Sequence, residues 1–157
     1  MTPTIYQGRH TADNSEDRVV FIIGMRINRR LAIHKWLPVF FAMPGMIKEL
    51  YTHREQLGFQ SAENYFGLRT TAMIQYWDSL DDLLAYSKGG KHLNEWKKFN
   101  RLTKGNSAVG IYHETYIIQK GKYESVYVNM PAYGLGKAAG LVPITVDKQT
   151  AKKRLSR

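Results

Sequence analysis

Two histidines in one stretch of the chain are the side chains best suited to chemistry. His92 stands in K-H-L-N-E-W-K-K-F-N-R and His113 in V-G-I-Y-H-E-T-Y-I-I-Q, with a break at Lys104-Gly105-Asn106 between them. The first segment has the period of a helix and the second that of a strand. On the helix, His92 aligns with Trp96 at i+4 and Phe99 at i+7, heading an aromatic stripe with Lys91, Lys97, Lys98 and Arg101 to its flanks. An imidazole so placed suits the axial ligand of a flat, dianionic cofactor such as haem b, with Trp96 on the cofactor face. It suits equally a helix-start histidine that covers core aromatics. On the strand, alternation puts His113 on one face with Ile111, Thr115 and Ile117, and sets Tyr112, Glu114 and Tyr116 on the other. Glu114 is therefore not expected to serve as the acid–base partner of His113. An imidazole among Ile and Thr on an inner face can move protons in a pocket. It can also be a satisfied core or interface histidine, and the pattern leaves both open.

No other motif competes. His34 and His53 have no partner at i+3 or i+4, and His10 lies in a polar lead-in. Gly134-Leu135-Gly136 followed by Gly140 is not the dinucleotide fingerprint, and Pro143 leaves little room for a helix behind it. Phosphate-loop and nucleophile-elbow patterns are missing. The chain has no cysteine, which excludes disulfides, thiolate metal sites, cysteine nucleophiles and covalently attached haem. Any metal must take His or carboxylate ligands.

The elements that must hold the two histidines are set by periodicity. Residues 1–17 are polar and predict an irregular lead-in. Arg18 to Asn28 reads as a strand with Val19, Phe21, Ile23, Met25 and Ile27 on one face, and since both faces begin apolar it is expected to be central. Arg30 to Gln56 has helical spacing interrupted by Pro38 and Pro44-Gly45, which predicts a short helix, a kink, and a second helix from Pro44 that ends near Gly58. Tyr65 to Gly67 and Arg69 to Trp77 read as one or two strands. Ser79 opens a helix with Asp82 completing an approximate capping box. After Gly89-Gly90 the helix restarts as Lys91 to Arg101, and then come the strand Val109 to Gln119 and an extended Tyr123 to Asn129. A Gly-rich loop or arm begins after Pro131.

Strand, helix, strand, helix, strand and a last extended piece make the split β-α-β pattern of an α+β, ferredoxin-like sandwich over 18–142, with a basic, frayed tail at 143–157. Helices on one side only leave the other sheet face apolar. Pairing two such sheets into a dimeric α/β barrel covers it, so a homodimer is expected.

With 43% apolar and 23% charged residues the composition is globular. The best apolar run, Val19 to Met25, is far short of the roughly 20 residues of a membrane helix. No signal pattern precedes it, so a cytoplasmic protein with no membrane partner is expected. The formal charge of +10 is scattered and carries no helix-turn-helix, zinc-finger or RNA-recognition pattern, so no specific nucleic-acid partner is expected.

The runs M-I-Q-Y-W-D-S-L-D-D-L-L-A-Y (73–86), K-H-L-N-E-W-K-K-F-N (91–100), G-I-Y-H-E-T-Y (110–116) and Y-E-S-V-Y-V-N-M-P (123–131) resemble a family of small dimeric α/β-barrel proteins. That family includes the monooxygenase of fumagillin-type polyketide clusters. The same stretch is more distantly similar to the C-terminal half of haem-containing aldoxime dehydratases, which carry a helix histidine on the haem iron and a strand histidine in an H-E-V context on the distal side. The resemblance implies a monooxygenase-like enzyme for a small, largely apolar organic substrate. It further implies haem with His92 as proximal ligand and His113 as distal acid–base. Cofactor-free oxygenation with His113 ionising the substrate uses the same pocket. The alternatives are a haem-dependent, aldoxime dehydratase-like lyase and a non-catalytic dimeric module that binds haem or another small ligand. Aldoxime dehydratases hold two such units in one chain, so here the second unit is expected from a partner subunit.

Overall fold

The computed structural model describes residues 3–155; within them, the side chains of Met43 and of residues 90–95 lie outside the described set. The chain runs β1 (Tyr6–Ala12), β2 (Arg18–Ile27), α1 (Ile33–Thr52), α2 (Arg54–Leu57), β3 (Phe59–Phe66), β4 (Thr70–Trp77), α3 (Leu80–Lys88), α4 (Gly90–Thr103) and β5 (Val109–Ile118). It continues through β6 (Tyr127–Met130), α5 (Leu135–Ala139), β7 (Leu141–Pro143), a 3₁₀ turn (Val146–Lys148) and α6 (Ala151–Leu155). Four strands form an antiparallel sheet in the order β3-β4-β2-β5. That order, with a helical crossover after β2 and a helical pair after β4, is the ferredoxin-like α+β arrangement.

β2 is central, as its two apolar faces require, and its odd residues meet the helices. Val19, Met73, Trp77, Phe59 and Leu50 pack with Leu83 and Tyr86 of α3 in one cluster, and Met25, Val39, Phe99 and Val109 form a second. Trp77 and Phe59 have no exposed surface. Burying an aromatic or aliphatic side chain of this size contributes about 1.5–3 kcal/mol.

The two helices expected around Pro44 are one: α1 is continuous through Pro38 and Pro44. Each internal proline removes a backbone bond and costs about 3 kcal/mol. The two halves of α1 are held by different clusters, Val39 in one and Leu50 in the other, both with essentially no exposure. A break between them would unseat one anchor, so packing overrides the proline. Gly58 ends α2 in the left-handed conformation (φ 66°). The strand behind it starts at Phe59, six residues earlier than the Tyr65 reading, because Gln60, Glu63 and Asn64 hide its alternation.

The terminal segments also differ from their polar composition. Tyr6–Ala12 is a strand between β6 and β7 in a second, three-stranded sheet. The basic tail is anchored: Arg154 is buried, its Nε donates to Glu124 at 2.8 Å, and Asn14 donates to its carbonyl at 3.0 Å. A buried guanidinium with a carboxylate partner holds α6 against the domain.

Candidate active site

β5 is an edge strand, and its register fixes which way each side chain faces. Ile23 stands opposite His113, Met25 opposite Ile111, Phe21 opposite Thr115 and Val19 opposite Ile117. Opposed residues share a sheet face, so His113 lies on the helix-facing side with the odd residues of β2. Its ring sits 5.7 Å from that of Phe21. Glu114 is on the other face, where its carboxylate accepts a hydrogen bond from the Tyr116 hydroxyl at 2.6 Å and raises that phenol's pKa. The two neighbours in sequence are separated by the sheet.

Between α1, α4 and the sheet lies an apolar cavity of about 100 Å³. Its walls include Ile23, Met25, Val39, Phe40, Phe99 and Ile111, with Asn64 and Thr71 as the polar contributions. Ile23 and Ile111 connect it to His113: one is its cross-strand partner, the other is two residues along the same face. The imidazole itself is exposed, beside the cavity rather than inside it.

Beyond Ile111 the helix-facing side of β5 is uncovered. Ile117 is 61% exposed and Thr115 and His113 are also exposed, while Trp96 on α4 is 43% exposed. α4 is joined to β5 by a short connection and packs Phe99 among Val109 and Ile111. The His92 side chain lies outside the described residues.

Haem makes definite demands on such a site. The cavity is too small for a macrocycle, since even ordinary ligand pockets run to roughly 300–1,000 Å³. The exposed residues of α4 and β5 are different. Trp96, Ile117 and His113 are all exposed, and so are the α4 cations Lys97, Lys98 and Arg101. That set suits a flat apolar ring with acidic edges in kind. Among the described residues no group of three His, Asp or Glu side chains could hold a bare metal ion.

A family model of af470-like monooxygenases matches residues 18–135. The chain belongs to the af470-like monooxygenase family. Monooxygenase af470 of Aspergillus fumigatus is 26% identical over 126 residues, covering 76% of this chain and 45% of that protein. Two aldoxime dehydratase crystal structures share the fold: one, in complex with butyraldoxime, has TM-score 0.67 at 18% identity over 85% of this chain and 39% of that one. The other has TM-score 0.70 at 17% identity over 91% and 46%. This member of the family thus spans less than half the length of each of these relatives.

Sequence reasoning placed the two histidines on their elements and His113 on its face. It missed the cavity walls from α1 and β3, Val39, Phe40, Pro44 and Phe66. Apolar spacing marked Phe40 alone of these, and spacing does not tell a filled core from one with a void. It also missed a tyrosine cluster on the outer sheet face. There Tyr76, half-buried beneath the arm at Gly134, has its phenol pushed up to about 12, first by burial and then by Tyr127 and Glu63. Tyr65 is also raised to about 12, chiefly through its hydrogen bond with Tyr133.

Proposed function

We propose that this chain is a monooxygenase acting on a small, largely apolar organic substrate held in the cavity under α1, with His113 as its acid–base. One observation carries the reading: His113 stands on the helix-facing side of β5, flanked by Ile23 and Ile111, which line that cavity. The walls bind by excluding water from apolar surface, and Asn64 and Thr71 orient a polar group on the substrate. His113, exposed beside the cavity, takes a proton from the substrate and returns it to solvent. Phe21 limits the positions of the imidazole by packing against it.

Haem b is the cofactor that this reading assigns to the exposed surface of α4 and β5, where His92 would bind the iron as proximal ligand and Trp96 would pack on the ring. Bound there, haem would supply redox-active iron chemistry, with His113 as the acid–base. The support is the exposed Trp96 on α4 and the exposed Ile117 on β5, apolar surface that such a ring would cover. The protein works in the cytoplasm as a homodimer joined across the outer sheet face. That face carries Ile22, Ile74, Tyr112 and Tyr116, the last two 42% and 50% exposed.

Titration of the purified protein with hemin is expected to produce a Soret band that is lost in His92→Ala and retained in His113→Ala. With a panel of small apolar substrates, His113→Ala should slow oxygen consumption by roughly 10²- to 10⁴-fold. A Soret band unaffected by His92→Ala would end the ligand assignment. Turnover unaffected by His113→Ala would end the acid–base assignment.

A further inference from the structure

At the end of the sheet where β2 leaves for α1, three connections meet. The Ile27 amide donates to the Arg69 carbonyl at 2.7 Å and the Asn28 amide to the Ala108 carbonyl at 2.8 Å. The Asn106 side chain donates to the Lys35 carbonyl at 2.8 Å. The loops are thus tied into one surface. On it Leu31 is 96% exposed, Leu68 91%, Phe66 72%, Phe41 65% and Ile33 52%. The Phe40 ring joins two of them, 5.5 Å from Phe41 and 6.3 Å from Phe66. Large apolar side chains gathered at one end of a globular domain mark an interaction site.

Charge identifies the partner. No Asp or Glu occurs between Arg18 and Lys48, in 64–77 or in 96–113, the segments that build this end. Arg26, Arg29, Arg30, Lys35, Arg69 and Lys104 are all exposed here. Among the described residues none of the six is in an ion pair. A second copy offering the same end would bring two acid-free, cationic surfaces together, which like-charge repulsion opposes. Nucleic acid would use the cations, but it takes up leucines only as wedges that unstack and kink a duplex, and the chain has no helix-turn-helix, zinc-finger or RNA-recognition pattern to seat them. An anionic bilayer uses both: lipid phosphates pair with the arginines, and the leucine and phenylalanine tips enter the acyl boundary below them.

We infer that this end is a docking surface for anionic lipid membranes, with Leu31 and Leu68 as the inserting tips. Phe40 and Phe66 also line the apolar cavity, so an apolar compound dissolved in the bilayer would meet the cavity without crossing water. The docking itself does not rest on the catalytic reading.

The full chain should co-sediment with vesicles of phosphatidylcholine mixed with phosphatidylglycerol, and bind vesicles of phosphatidylcholine alone at least about tenfold more weakly. The double variant Leu31→Ser/Leu68→Ser should lose about tenfold in vesicle affinity with an unchanged circular dichroism spectrum and an unchanged elution volume. Arg29→Gln/Arg30→Gln should weaken vesicle binding and lower its salt sensitivity. Equal binding to neutral vesicles, or none to either, overturns the inference. So does binding to a DNA duplex that matches vesicle binding and ignores the leucine substitutions. A shift of the leucine variant to a smaller assembly would show a second copy on this surface and overturn it too.

Discussion

The side chains around the site divide by sheet face, and this division sets their chemistry. His113 and Glu114 are covalent neighbours, yet one meets the helices and the other bonds Tyr116 on the outer face. Tyr76 illustrates how a face controls a pKa. Its phenol lies under the arm at Gly134, where burial disfavours the phenolate and holds the folded-state value near 12 against an ordinary 10.0. In the unfolded chain the proton leaves from about pH 10, so the unfolded state gains at higher pH while the folded state keeps its proton. Stability from this group is complete below pH 10 and is lost as pH rises toward 12. Tyr76→Phe should flatten the decline of melting temperature over that window; an unchanged slope would mean that the phenol is not covered in solution.

At the scale of elements, α1 is where local preference and tertiary packing disagree. Pro44 cannot donate to the Phe40 carbonyl, and both residues line the cavity. Pro44→Ala restores an amide at that position and is expected to raise stability by up to about 3 kcal/mol. It should do so while changing the affinity for cavity ligands, because the wall beside Phe40 is rebuilt. A melting temperature that falls would show that the proline shape itself is needed for packing. The opposite case is α3, where local signals and structure agree. Ser79 Oγ accepts the Asp82 amide hydrogen at 3.1 Å, as the capping pattern predicts.

At the scale of the whole molecule, the sheet separates a helix-covered side from an outer side that is only partly covered by the β1–β6–β7 arm. Gly24 matters here: a methyl at this position would fall inside the Tyr112 ring, so glycine lets that ring lie flat across the outer face. Ile22→Glu places a charge in the middle of this surface. It should convert a dimer of 18.1 kDa chains into monomers in light scattering, while the far-ultraviolet circular dichroism stays the same. A species that already has the mass of one chain before substitution would end the homodimer reading. The relatives that this chain covers by 39–46% of their length have room for a second unit of its size. None of the described helices is long and apolar enough to cross a membrane, and docking through Leu31 and Leu68 needs none.

Whatever depends on short-range period was readable from the chain alone. The alternation of β2 and β5, the cap at Ser79, the stop at Gly58 and the α+β order all arise from residues within a few positions of each other. The two histidines were legible for the same reason, each on its own element and His113 on its own face. That α1 continues as one helix past Pro44 emerged only in three dimensions, because the anchors that overrule the proline come from two distant clusters. Tertiary pairing alone turned the polar first segment into a strand, since the partners of Tyr6–Ala12 lie more than a hundred residues away. The cavity beside His113 and the cationic, leucine-tipped end are also products of packing. Each is assembled from loops and helices that no local window contains.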